Sequence, residues 1–116
     1  MTVTNNDYEV IFAVVNSGYA EDVMDVARKA GARGGTILNA RGVVNESAAS
    51  FFGITMHNEK EIVMIVVPRD IKDDILNSVY SELGMDKKAH GIAFSLPVSD
   101  TAGLVKAPVP LPEEQE

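Results

Sequence analysis

The residues best suited to chemistry are gathered in one stretch, Gly31-Ala32-Arg33-Gly34-Gly35-Thr36-Ile37-Leu38-Asn39-Ala40-Arg41-Gly42. Glycines let a backbone come close to a ligand. Free N–H groups and the Thr36 hydroxyl suit a phosphate or a base edge, and Arg33 and Arg41 add positive charge. From Arg28 to Asn45 the chain has four basic residues (Arg28, Lys29, Arg33, Arg41) and no acidic one, although its formal net charge is -7. That local reversal of sign favours an anionic ligand. The stretch is not a P-loop, because no Gly-Lys-Ser/Thr follows, nor a dinucleotide fingerprint, because it leaves a helix and enters a strand. The plainer reading of the same glycines is a tight turn leading into a weakened strand. Lys87, Lys88 and His90 beside Gly91 offer a second anion-binding wall, although lysines next to a turn are most often only solvated.

Other chemistries find little support. His57 and His90 are the only histidines and do not fall at a paired-ligand spacing, so a metal site would need carboxylates or another subunit. Asp100 and the histidines sit in unrelated segments, and nothing suggests an activated nucleophile. Zero cysteines removes disulfides and thiolate sites together. The expectation is a binding protein rather than an enzyme, with no catalytic residue, no catalytic cofactor and no metal site assigned. A pI near 4.7 and few aromatics argue against a surface built for nucleic acid. The polar start of the chain lacks the order of a signal peptide, and no apolar run approaches the roughly 20 residues that cross a bilayer. A soluble cytoplasmic protein is expected.

At 116 residues and 46% hydrophobic content the chain suits one compact domain. Tyr8 to Val15 is an almost unbroken β-favouring run. After Asn16-Ser17-Gly18, with Ser17 as the expected cap, Ala20, Val23, Met24, Ala27 and Ala30 recur at helical spacing up to Gly31. A second strand is expected from Gly35 to about Val44. A long stretch without clear periodicity, residues 43–58, follows as a flexible loop of the kind that carries function. Glu61 to Pro68 is the most strand-like segment. Asp70 is the expected cap of a second helix with Ile71, Ile75, Leu76, Val79 and Leu83 facing inward, stopped at Gly84. Ile92 to Val98 is a fourth strand, stopped at Pro97. This β-α-β-β-α-β order defines an α+β, ferredoxin-like sandwich: a four-stranded antiparallel sheet with two helices on one face. The domain would span residues 1–98, and the Pro- and Glu-rich residues 99–116 would form an extended or disordered tail. Strands as apolar as these leave the bare face of such a sheet to be buried by another subunit, so self-association is predicted.

These features together resemble the PII signalling proteins. The resemblance rests on the element order, on Gly31-x-x-Gly34-Gly35-Thr36-Ile37, on Arg41-Gly42 before the long loop, on Val63-Met64-Ile65-Val66-Val67-Pro68-Arg69-Asp70, and on His90-Gly91-Ile92-Ala93-Phe94. It runs from about Tyr8 to Val98 and needs no gap from the third strand to the fourth. It implies a homotrimer that binds an adenine nucleotide (AMP, ADP or ATP) or a small anionic effector in clefts between subunits. A mobile loop after the second strand would then regulate a membrane transporter or metabolic enzyme, in nitrogen regulation for the family's best-known members.

Carried over residue by residue, Thr36 falls on a nucleotide-contacting threonine and Gly42 on the glycine at the base of the long loop. Val66 takes the strand position against the base, and Met85, Lys87, Ala89 and Gly91 fall in the loop that wraps the phosphates. With Gly35, Arg41, Lys88 and His90 these make the candidate ligand set. Ser47, Ser50, Phe51 and Phe52 are the candidate partner contacts, the two aromatics as anchors and the serines as modification sites. There are departures. Ile92 stands in place of a lysine, Gly103 and Val105 in place of two arginines, and Glu46 in place of a glutamine that helps bind magnesium and 2-oxoglutarate. The loop has no tyrosine for uridylylation. Three cationic triphosphate ligands are missing, which argues against tight ATP binding. The competing expectation is a metal-binding trimer resembling the CutA proteins, with His57, Glu46 and Glu59 as ligands.

Overall fold

A computed structural model of the chain describes residues 3–43 and 59–104. The elements are β1 (Val3–Asn16), α1 (Ala20–Lys29), β2 (Thr36–Arg41), β3 (Glu59–Pro68), α2 (Arg69–Leu83) and β4 (Ile92–Ala102). The four strands form one sheet in the order β2-β3-β1-β4. Every neighbouring pair is antiparallel. The ferredoxin-like architecture expected from the pattern is therefore the one observed.

Successive residues of a strand point to opposite faces, and that alternation divides the sheet cleanly. Ile11, Ala13 and Val15 of β1 and Val63, Ile65 and Val67 of β3 are fully buried beneath the helices. They meet Val23, Met24 and Ala27 of α1 and Ile75, Val79 and Leu83 of α2, which recur at helical spacing and make up the core. Fully burying one such side chain is worth about 1.5–3 kcal/mol, so this layer holds the fold. The opposite face carries no helix. Val10, Phe12 and Val14 of β1 lie there beside Met64 and Val66 of β3 and Ile92, Phe94 and Leu96 of β4. Ile92 is 52% exposed, Phe94 46% and Leu96 50%, and the Phe12 and Phe94 rings stack with centroids 5.4 Å apart. A contiguous apolar surface across three strands is more than single domains usually leave in water.

Four local expectations are corrected. β1 begins at Val3 rather than Tyr8, because Val3–Asn5 pair with Asp100–Ala102 past a register shift. β4 continues to Ala102 instead of stopping at Pro97. It is an edge strand, and an edge accepts a proline that a central position would reject. Ser17 does not cap α1: the cap position is Tyr19, whose side chain makes no cap bond. A carboxylate oxygen of Glu61 accepts the Gly18 N–H at 2.7 Å and the Ala20 N–H at 3.2 Å in its place. Asp70 is not the cap of α2 either. Pro68 takes that position, and Asp70 lies inside the first turn, where its charge suits the helix dipole.

Candidate functional site

A cleft of about 530 Å³ opens where the Gly31–Gly35 segment meets the start of β2. Its floor is formed by Tyr8, Thr36, Met64, Val66 and Pro68, all on the helix-free side of the sheet, and its walls by Gly31 to Gly35 and Leu104. Helix α1 ends where Gly31 adopts a φ of +114° and the Ala32 N–H turns back to the Ala27 carbonyl at 3.0 Å. The chain then runs out past the cleft. Gly35 is demanded by packing: a Cβ there would sit 2.9 Å from Met24 Sδ, 3.0 Å from the Met64 carbonyl oxygen and 3.1 Å from Ile65 Cγ1. Without a side chain, the backbone lies close against β3, and Arg33, the one charged residue of the lining, is left exposed at the rim. The cleft thus combines an apolar floor, the Tyr8 and Thr36 hydroxyls, a glycine backbone and a single cation.

Of the candidate ligand set read from the sequence, Gly35, Thr36 and Val66 line this cleft. Arg41 and Gly42 do not. They stand at the far end of β2, Arg41 opposite Glu59. The 85–91 loop is elsewhere too. Asn16, the last residue of β1, holds it by two bonds: its N–H donates to the Ala89 carbonyl at 2.8 Å and its Nδ2 to the Lys88 carbonyl at 2.9 Å. Lys60 Nζ donates to Asn16 Oδ1 at 2.6 Å, so the start of β3 joins the same junction. Tyr8 in the cleft and Asn16 at the loop are eight residues apart along β1, about 26 Å. Within the loop, Met85, Lys87, Lys88 and His90 are exposed, while Ala89 and Gly91 are buried. Ala89 is 1% exposed, its methyl packed into the core and its carbonyl taken by the Asn16 N–H. Gly91 donates its N–H to the Leu83 carbonyl at 2.7 Å, and a Cβ there would collide with that oxygen. His90 carries a left-handed φ of +48°, one of the few turns of backbone that a histidine tolerates. A second hollow of about 560 Å³, lined by Asn16, Ser17, Tyr19, Glu59, Lys88 and His90, lies beside this loop.

Ser47, Ser50, Phe51 and Phe52 lie outside the described residues, as do Glu46, His57 and Val105. Among the described residues no group of three or more His, Cys, Asp or Glu could hold a metal ion. No described helix is long and apolar enough to cross a membrane. Sequence reasoning missed three residues of consequence. Glu61 and Asn16 act on partners more than 40 positions away, a range at which no local pattern speaks. Leu104 joins the cleft only because β4 overruns its proline.

No curated protein matches the sequence. Among solved structures, a PII-like signalling protein from Thermus thermophilus superposes with a TM-score of 0.64 at 19% identity, over 87% of this chain and 92% of that one. CPII, a nitrogen regulatory PII-like protein from Thiomonas intermedia K12 seen with ADP, AMP and bicarbonate, gives 0.64 at 12% identity, over 90% and 100% of the two chains. Arabidopsis thaliana PII bound to citrate gives 0.60 at 26% identity, over 81% and 79%. None of these neighbours lends support to the CutA-like metal reading. The family model of nitrogen regulatory protein P-II matches residues 8–106, nearly the whole described chain, and the chain therefore belongs to the P-II family of signalling regulators.

Proposed function

We propose that this protein is a homotrimeric, non-enzymatic regulator that binds an adenine nucleotide or small anion in clefts between its subunits and thereby controls a partner protein. The observation that carries the reading is the position of the cleft. Its floor residues belong to the same bare sheet face that needs covering, so burying that face against another copy places the cleft at the seam. The 85–91 loop borders the same face through Asn16 at the opposite end of β1. Copies packed face to face and rotated bring the loop of one against the cleft of the next. Thr36, Gly35, Val66 and Arg33 then meet the exposed Lys87, Lys88 and His90 of the loop that Ala89 and Gly91 anchor, although about 26 Å separates them within one chain.

The apolar floor suits a purine, and the glycine backbone, hydroxyls and cations suit its phosphate. The ligands named for the neighbours, ADP and AMP with bicarbonate in one and citrate in another, are of this class. Arg41 and Gly42 sit where β2 leads into residues 43–58. Ligand occupancy at the seam would alter the surface those residues show to a transporter or enzyme, with Ser47, Ser50, Phe51 and Phe52 as its contacts. Cytoplasmic location follows from this role. Two measurements test the reading together: light scattering for the oligomer, and titration calorimetry with AMP, ADP and ATP. A monomer at working concentration removes it, and silence from all three nucleotides removes its nucleotide version.

A further inference from the structure

The described chain ends inside the cleft. Leu104 forms part of its wall, and the sequence continues as Val105-Lys106-Ala107-Pro108-Val109-Pro110-Leu111-Pro112-Glu113-Glu114-Gln115-Glu116. Two properties of that segment match the cleft. Alternating prolines in Pro108 to Pro112 favour the polyproline II conformation, which loses little entropy on docking and fits grooves lined by apolar and aromatic side chains. The floor of Tyr8, Met64, Val66 and Pro68 is such a groove. Next, Glu113, Glu114 and Glu116 put three carboxylates beyond the prolines, and Arg33 is the single charged residue among those lining the cleft. An extended chain covers about 3.1 Å per residue, so Glu113 reaches up to about 28 Å from Leu104, ample to fold back to the rim.

We propose that residues 108–116 of the same chain dock in this cleft as an internal strap. The proline segment lies on Tyr8, Met64, Val66 and Pro68, and the terminal glutamates face Arg33, where they compete with an anionic ligand. Tethering makes the competition effective, because a segment anchored at Leu104 samples the cleft at a high effective concentration. The competition, though not the docking, rests on the reading of the cleft as a nucleotide or anion site.

The absence of native cysteine makes a direct test clean. A nitroxide attached to Gln115→Cys in the full chain is expected to broaden the amide signals of Gly34, Gly35 and Thr36, and Leu111→Asp is expected to relieve that broadening. Undisturbed signals at Gly34 to Thr36 overturn the docking. Broadening seen only when label and isotope are on different copies overturns docking within one chain. In the same full-length protein, Glu113→Gln, Glu114→Gln and Glu116→Gln together are expected to tighten AMP or ADP binding about tenfold by calorimetry, and unchanged affinity overturns the competition. If neither nucleotide binds either form, the ligand reading fails and takes the competition with it, while the spin label still decides the docking.

Discussion

Replacing Glu61 tests how the start of α1 is secured. The first N–H groups of a helix have no partner within it, and here a carboxylate on a neighbouring strand accepts two N–H groups at that end, from Gly18 at 2.7 Å and Ala20 at 3.2 Å. Hydrogen bonds to a charged acceptor contribute about 1.5–3 kcal/mol each, and loss of a helix cap costs about 0.5–2 kcal/mol. The Gly18 N–H is exposed enough for water to replace the carboxylate, whereas the Ala20 residue is buried. Glu61→Ala should therefore cost less than the sum, about 2–3 kcal/mol. Glu61→Gln keeps an acceptor oxygen and loses only the charge, so about 1 kcal/mol is expected. Urea unfolding at one fixed protein concentration measures both, since an oligomer's apparent stability depends on concentration. Equal losses for Ala and Gln, or losses below about 0.5 kcal/mol for both, would refute the capping account.

Three further changes probe the surfaces and the cleft. Phe94→Glu places a carboxylate in the middle of the bare sheet face, on an edge strand that tolerates polarity, and should yield a folded monomer by light scattering; a trimer would show that the face is not the seam. Gly35→Ala forces a methyl against the Met64 carbonyl, which the β3 ladder holds in place, and should cost about 1–3 kcal/mol in unfolding experiments and weaken nucleotide binding in calorimetry. Arg69→Ala removes the partner 3.4 Å from Glu9, whose side chain is only 10% exposed. Because Arg69 is itself half exposed, a modest loss of about 1–2 kcal/mol is expected, and adding Glu9→Leu should recover stability by removing the stranded carboxylate.

The sequence disclosed the fold because its signals are local. Tyr8 to Val15 is an almost unbroken β-favouring run, apolar residues recur at helical spacing through α2, and Gly31 and Gly84 mark where the helices stop. Where a boundary depends on a distant partner, the local signal misleads. Val3–Asn5 has no strand pattern of its own and is recruited by Asp100–Ala102, and Pro97 looks like a stop until β4 is known to be an edge. Ser17 and Asp70 are of the residue types that cap helices, yet both ends are settled without their side chains.

The site shows the same division at a larger scale. Thr36 and Gly35 are legible because a glycine run with a hydroxyl and an arginine is unusual anywhere, and Lys87 to Gly91 because a basic turn stands out in an acidic chain. Composition says nothing about distance, and the structure puts the two groups at opposite ends of β1. Two readings follow from that separation: either the groups serve different ligands, or one ligand is gripped by two copies. The bare face decides between them on energetic grounds. A contiguous surface of Phe12, Phe94, Ile92 and Leu96 leaves several side chains short of the burial worth about 1.5–3 kcal/mol apiece, and a second copy of the chain supplies it. Under the proposed function, association driven by that burial would bring both groups to the seam, and the ligand would be held by residues whose meeting depends on assembly. Dissociating the oligomer with Phe94→Glu should then abolish nucleotide binding while leaving Gly35, Thr36 and Lys87 untouched.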